Sequence, residues 1–480
     1  MTRRGVLRRS GALVGGIAVG TQVTAAARTD RYIVQTRGNR SLDDVDVVHE
    51  LPGVKFAVVR AEEDELEDSK AVKDYAVDTE MVLNDPEPNA EVPAFDADEY
   101  EGQPGDSLQW DKDDLNVSEA LEVTEGEGSR VTIIDSGILS GHPDLDVNEG
   151  LSRNFTDDGG DFNPVGGDDH GTHVAGIVAA NNEAGLGVNG TAPETDLVAC
   201  RVFSAEGGAA FGDILAAIVY SVAIDADAAN LSLGAYPVPR QELGSFYGNV
   251  LNSVMTYANA EGTLLVIAAG NDPADLQRDR NLVSLPAEGA QGLAVSATGP
   301  VGYGWDAADW GGPAPPQSPA FYTNYGTNAL TLGAPGGDAS QTVIEQMAAN
   351  EDDDPDNDEP VPDNWFYDLV FNTVFTYEDT DGDDEPDTQV PGYGWKAGTS
   401  MAAPQVTGAV ALVKSVVPEM NPDQVESLLK RTADVPEDYE KPYYGGGYLD
   451  VVSAVEEADG DGDGGNGTDG NNGNRNGRGN

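Results

Sequence analysis

From Trp110 onward, short apolar runs alternate with longer stretches whose apolar residues recur every three or four positions. The short runs predict strands at Val131 to Ile134, Leu197 to Val202, Ala228 to Leu231, Leu264 to Ala268 and Leu293 to Val295. The longer ones predict helices at Gly171 to Asn181, Phe211 to Ala223, Phe246 to Ala260 and Ser400 to Val417. Strand-helix alternation of this kind predicts an α/β fold, a doubly wound, mostly parallel sheet with helices on both faces. In such folds ligands bind beyond the carboxyl ends of the strands, so the residues that follow each strand become the candidates for chemistry.

Ahead of this region the pattern differs. Arg31 to about Asp85 carries short alternating runs, Tyr32 to Gln35 and Lys55 to Val59, a charged helical stretch near Glu62 to Tyr75, and the run Met81-Val82-Leu83. These predict a small α+β unit at 28–85. Residues 86–106, rich in Pro, Gly and acidic residues, predict an exposed linker holding a processing site. Met1 to Ala27 has a basic start, an apolar run from Gly11 to Val19 and the small-residue end Ala25-Ala26-Ala27, the layout of an export signal. It is too short to span a membrane, and Arg3-Arg4 ahead of Gly5-Val6-Leu7 resembles a twin-arginine signal. Residues 459–480, almost all Gly, Asn and Asp, predict a disordered tail.

Composition changes the picture in two ways. Against 85 acidic residues stand 26 basic ones, a formal charge of -59, which argues against nucleic acid or an anionic membrane as partner. A hydrophobic fraction of 39% is nevertheless too high for a disordered acidic chain, so the pattern implies a folded core under an acid-coated surface suited to concentrated salt. The single cysteine, Cys200, excludes an internal disulfide and falls in a predicted strand, as an inert buried thiol would.

The candidate chemistry begins at Gly398-Thr399-Ser400-Met401-Ala402-Ala403-Pro404, which feeds a helix with Val406, Ala409, Val410, Val413 and Val417 on one stripe. A serine hydroxyl at such a helix start is well placed to attack a carbonyl, because its own N–H is unpaired and points where an oxyanion would form. Gly-Thr-Ser also occurs in plain turns, so the serine needs a base, an orienting carboxylate and a second oxyanion donor. Asp135 closes the strand Val131 to Ile134, although an aspartate there also suits a turn or cap. His170 opens His170-Gly171-Thr172-His173-Val174-Ala175-Gly176. A rival reading pairs His170 with His173 on a metal, but the zinc-protease pattern needs histidines at i and i+4 with a glutamate between. Asn271 ends the strand from Leu264, where its amide could be the second donor. Asn230-Leu231-Ser232-Leu233-Gly234 ends another strand, whose backbone could pair with an extended peptide.

Together these motifs, in the order Asp135, His170, Ser400, resemble the subtilisin-like serine proteases over about Trp110 to Val455. His142-Pro143-Asp144-Leu145 and Ala269-Gly270-Asn271 belong to the same resemblance. It implies that Asp135 orients the imidazole, His170 is general base then acid, Ser400 is the nucleophile, and Asn271 with the Ser400 N–H forms the oxyanion hole. It also implies that Ser232-Leu233-Gly234 and Ala268-Ala269-Gly270 are the two walls of the pocket for the residue before the scissile bond, a broad slot for a large apolar group. Gly234 is followed by Ala235 where the family usually has a second Gly, and Pro286 matches a position that is often cis.

On this resemblance, 28–85 is an inhibitory propeptide and 107–458 a peptidase domain, and the acidity with the export signal resembles the halolysins, exported subtilases of salt-loving archaea. An acidic insertion at about 338–396 exceeds what the family core needs. Within it Asp379, Asp381, Asp383 and Asp387 could converge on Ca²⁺, although Asp384 stands where such loops prefer Gly and a solvated insertion explains the run equally. Asp144 matches a family calcium ligand, with Asn181 or Asn182 nearby. The expectation is a secreted, self-processing, monomeric serine endopeptidase that acts on proteins or peptides, with structural calcium and no catalytic cofactor. The alternatives are a catalytically silent calcium-binding surface protein on the same fold, and a metal-dependent hydrolase using His170 and His173.

Overall fold

A computed structural model describes residues 30–460 apart from 39–40, 83–85, 87–91, 94, 96–99, 101–102, 167, 206, 279–280, 351–359 and 379–387. The predicted signal at 1–27 and residues 461–480 of the tail lie outside the described residues. The N-terminal unit is built from β1 (Arg31–Thr36), β2 (Asp46–Leu51), β3 (Phe56–Arg60), α1 (Glu63–Asp68) and β4 (Val72–Val77), in an antiparallel sheet of order β2-β3-β1-β4. Successive strand residues point to opposite faces. Tyr32, Val34, Ala57 and Val59 therefore share a core with Leu66 of α1, whereas Ile33, Phe56 and Val58 join the core of the larger domain. The predicted helical stretch Glu62 to Tyr75 is in fact a short helix followed by a strand. Helix α1 ends at Asp68, and Val72 to Val77 pairs with β1 as an edge strand whose Lys73 and Asp74 face water. Charged residues on a solvent-facing edge imitate a helix surface in sequence.

Beyond β5 (Glu80–Val82), three short helices, α2 (Pro104–Leu108), α3 (Trp110–Asp114) and α4 (Val117–Ala120), lead into the larger domain. It continues with β6 (Arg130–Asp135), β7 (Arg153–Asn154), α5 (His170–Ala179), β8 (Asp196–Arg201), β9 (Gly208–Ala210), α6 (Phe211–Ala223) and β10 (Ala228–Leu231). Then come β11 (Ala235–Pro239), α7 (Arg240–Glu261), β12 (Leu264–Ala268), β13 (Leu282–Leu285), β14 (Gly292–Thr298), β15 (Leu332–Pro335) and α8 (Gln341–Asn350). The last elements are β16 (Val370–Glu378), β17 (Thr388–Lys396), α9 (Thr399–Val416), α10 (Pro422–Thr432) and α11 (Val451–Asp459).

Seven parallel strands form one sheet in the order β15-β14-β12-β10-β6-β8-β7. Fully buried strands read as continuous apolar runs because both faces are covered. One core lies beneath α5, α9 and α11, and the other beneath α6 and α7. This is the predicted doubly wound α/β architecture. Helix α7 begins at Arg240, ahead of the predicted Phe246, and β13, β15, β16 and β17 are strands beyond those predicted. The segment expected to be a solvated insertion is partly ordered: β16 and β17 form a hairpin, in register from Val370↔Lys396 to Glu378↔Thr388, that lies along α5. Asp379, Asp381, Asp383 and Asp387 lie outside the described residues. The Leu285–Pro286 peptide is cis.

Candidate active site

Three carboxyl ends of the central strands meet the N-termini of α5 and α9. Asp135, the last residue of β6, is fully buried, and its Oδ1 accepts from the Ser136 N–H at 2.7 Å and from His170 Nδ1 at 2.8 Å. A carboxylate can only accept, so Nδ1 carries the proton and Nε2 presents its lone pair on the far side of the ring. His170 opens α5, its backbone N–H held by Asp168 Oδ1 at 3.1 Å. Gly171 permits the close approach of helix and strand, because a Cβ there would stand 2.3 Å from the Gly137 carbonyl and 3.1 Å from Asp135.

Ser400 sits in the first turn of α9 and is 6% exposed. Its hydroxyl donates to the Ser232 carbonyl at 3.3 Å, and its own carbonyl accepts from Ser232 Oγ at 2.7 Å. The amide of Asn271 is oriented by Thr399. Asn271 Oδ1 accepts from both the Thr399 N–H and the Thr399 hydroxyl at 2.9 Å, which turns Nδ2 the other way. The point a Cβ on Gly398 would occupy lies 3.5 Å from Ser400 N and 3.6 Å from Asn271 Nδ2. Ser400 N and Asn271 Nδ2 thus lie near one point beside Gly398, as the donors of an oxyanion hole would.

The sequence pattern assigns no role to Thr399 or Asn324. Asn324, fully buried, holds the turn after β12: its Oδ1 accepts from the Asp272 and Ala274 N–H groups at 3.1 and 3.0 Å, and its Nδ2 donates to the Ala269 carbonyl at 2.9 Å. Its partners lie fifty or more residues away in the chain, so no local pattern signals it.

Ser232, Leu233, Gly234, Ala268 and Gly270 line a cleft with Asn271 and Ser400. Ala269 does not. It is fully buried, with its N–H on the Val295 carbonyl at 2.9 Å. Tyr236, Asp272 and Ser284 also reach the cleft.

The metal expectations fare differently. His170 and His173 are directed to separate partners. His173, buried, meets the Val370 carbonyl at 3.1 Å, and burial holds its ring well below the usual histidine range. The rival metal pairing is therefore not assembled. Asp144 is fully buried, but its Oδ1 accepts from the Ala184 N–H and its Oδ2 from the Tyr393 hydroxyl, both at 2.6 Å. Calcium takes six to eight oxygen ligands, whereas the groups facing Asp144 here are hydrogen-bond donors. The described residues around Asp144 do not fit a calcium shell, and among the described residues no group of three or more Asp, Glu, His or Cys side chains is placed to hold a metal ion.

Comparison with known proteins decides the family. The profile described as the subtilase family matches residues 126–474. The chain belongs to the subtilase family. Subtilisin BL of Lederbergia lenta is 31% identical over 310 residues, 64% of this chain and 84% of that protein. The extracellular protease of Xanthomonas campestris pv. campestris is 30% identical over 359 residues, and the thermophilic serine proteinase of Bacillus sp. (strain AK1) 28% over 316. This subtilase chain spans 50% and 59% of the length of those two relatives, respectively. Among solved structures, the epidermin leader peptide processing serine protease of Staphylococcus aureus shares the fold, with a TM-score of 0.66 at 19% identity over 89% of this chain and 98% of that one.

Proposed function

We propose that this subtilase is a serine endopeptidase in which Asp135, His170 and Ser400 form the catalytic triad and Asn271 completes the oxyanion hole. The observations that carry the reading are Ser400 N and Asn271 Nδ2 near one point at the start of α9, and, at the start of the adjoining α5, an imidazole whose Nδ1 is fixed on Asp135 at 2.8 Å. In the acylation step Ser400 Oγ bonds to the substrate carbonyl carbon as its proton passes to His170 Nε2. The Asp135 carboxylate stabilises the resulting imidazolium, and the two N–H donors take the oxyanion. The C–N bond then breaks as His170 returns the proton to the leaving amine. Water repeats the sequence to release the acyl group.

Residues 31–82 support a self-inhibited, self-processed precursor. The N-terminal unit lies against α6, and β5 adds to β9 as an antiparallel strand (Glu80↔Ala210, Val82↔Gly208), as an extended peptide substrate would. Met81 is buried in a hollow with Phe211, Ala235 and Tyr247. Ala235 also lines the cleft of Ser400, so the hollow that holds Met81 adjoins that cleft. Secretion is proposed from the signal-like Met1 to Ala27, and adaptation to salt from the charge of -59. Calcium is not required by this reading, since an ion at Asp144 would have to displace the Tyr393 hydroxyl and the Ala184 N–H. The test is Ser400→Ala: the purified full chain, free of other proteases, should stay unprocessed and hydrolyse no peptide. Maturation of that variant at the normal site would remove self-processing from the account.

A further inference from the structure

The surface between the N-terminal unit and the larger domain has at its centre a cluster of charges shut away from water. Arg31 of β1 is fully buried, its Nε 2.8 Å from Asp78 Oδ2, its Nη1 3.4 Å from Asp157, and its Nη2 on Asp213 of α6. Asp78, also fully buried, accepts from the Gly212 N–H in the first turn of α6 at 2.7 Å. His49 of β2 places Nε2 2.7 Å from Asp213 and 3.1 Å from the Phe155 carbonyl. At the rim Arg60 of β3 meets Asp157, Asp30 and Asp46, and from α7 the Tyr247 hydroxyl donates to the Val77 carbonyl.

With His49 neutral, counting charges in the dry part of this cluster leaves two carboxylates, Asp78 and Asp213, against one guanidinium, with Asp157 compensated by Arg60 at the rim. The N-terminus of α6 supplies about half a positive charge. A deficit of about half a unit therefore remains where water cannot screen it, and a bound proton would correct it. Resting on the reading of residues 31–82 as the enzyme's own inhibitor, we propose that this interface takes up a proton as it closes. The unit is then held in mildly acid surroundings and let go as they turn neutral.

The behaviour of Asp78 agrees: burial, opposed by Arg31, pushes its carboxyl up to about 6 from an ordinary value of 3.8. A carboxyl whose bound value lies above its free value favours association fully below the free value, and that contribution is lost as pH rises through about 6. One pH unit below that point corresponds to about tenfold in affinity.

Two measurements on the full chain test this. Self-processed enzyme is incubated at pH 5 and pH 7 in the same salt, then sampled for peptidase activity at one fixed pH and for unit release by size exclusion. The unit should bind about tenfold more tightly at pH 5, and Asp78→Asn should flatten the difference. In parallel, unfolding of the N-terminal unit is followed in the unprocessed Ser400→Ala chain, with and without Asp78→Asn. Its midpoint should fall from pH 5 to pH 7 only where Asp78 is present. Equal binding at both pH values, tighter binding at pH 7, or an Asp78→Asn chain as pH-dependent as its parent would overturn the proposal. A midpoint shift in the Ser400→Ala chain without activity from the processed chain would instead count against the protease reading and leave the proton uptake standing.

Discussion

At the scale of single residues, the account rests on groups held by partners remote in sequence. Asn271→Leu keeps the volume but removes the Nδ2 donor and the acceptor of Thr399. The expected result is a fall in kcat of about 10² to 10³ with KM little changed, the size established for the equivalent donor in a subtilisin. An unchanged kcat in steady-state assays would remove Asn271 from the oxyanion hole. Asp135, His170, Asn271 and Ser400 are legible in the sequence, because each closes or shortly follows an apolar strand, or opens a helix, within a recognisable motif. Thr399 and Asn324, which orient Asn271 and its turn, were not, since their roles are defined only by contacts made after folding. The dual hydrogen bonding of Asp144 escaped for the same reason, as Tyr393 stands 249 residues away.

At the scale of elements, the hairpin of β16 and β17 braces the helix that carries His170. Thr373 Oγ1 donates to the Thr172 carbonyl at 2.8 Å, His142 meets the Gly392 carbonyl at 2.9 Å, and Lys396 pairs with Asp169 at 2.7 Å. The two elements touch at Gly176, where a Cβ would stand 2.1 Å from Thr373 Oγ1 and 2.2 Å from Asn372 Oδ1. Both neighbours are fully buried, so neither can swing into solvent. Gly176→Ala should therefore destabilise the domain by about 1 to 3 kcal/mol, as overpacking does, and lower activity by displacing α5. A thermal midpoint within a degree of the parent would show that the hairpin does not press on α5. The long central strands and helices were readable from period alone. The hairpin was hidden because its buried residues include Asn372 and Thr373, and because flanking acidic runs made the whole segment read as solvated. The edge strand β4 misled in the opposite direction, its exposed Lys73 and Asp74 imitating a charged helix.

At the scale of the whole molecule, 59 surplus negative charges with no internal disulfide available are expected to make the fold dependent on screening. Lowering salt from molar levels to about 0.1 M lengthens the screening distance from roughly 3 to 10 Å. Repulsion then spans the surface and favours expansion. Circular dichroism and peptidase activity, followed together across a salt titration, should both be lost on dilution. Retention of both in dilute buffer would refute the dependence on salt without touching the chemistry at Ser400. That chemistry is the central claim, and active-site labelling addresses it most directly. Processed enzyme treated with a fluorophosphonate in the presence of a chelator should gain one adduct, mapped by mass spectrometry to Ser400, and lose all peptide hydrolysis. An adduct elsewhere, or hydrolysis that persists in the fully labelled protein, would contradict the account.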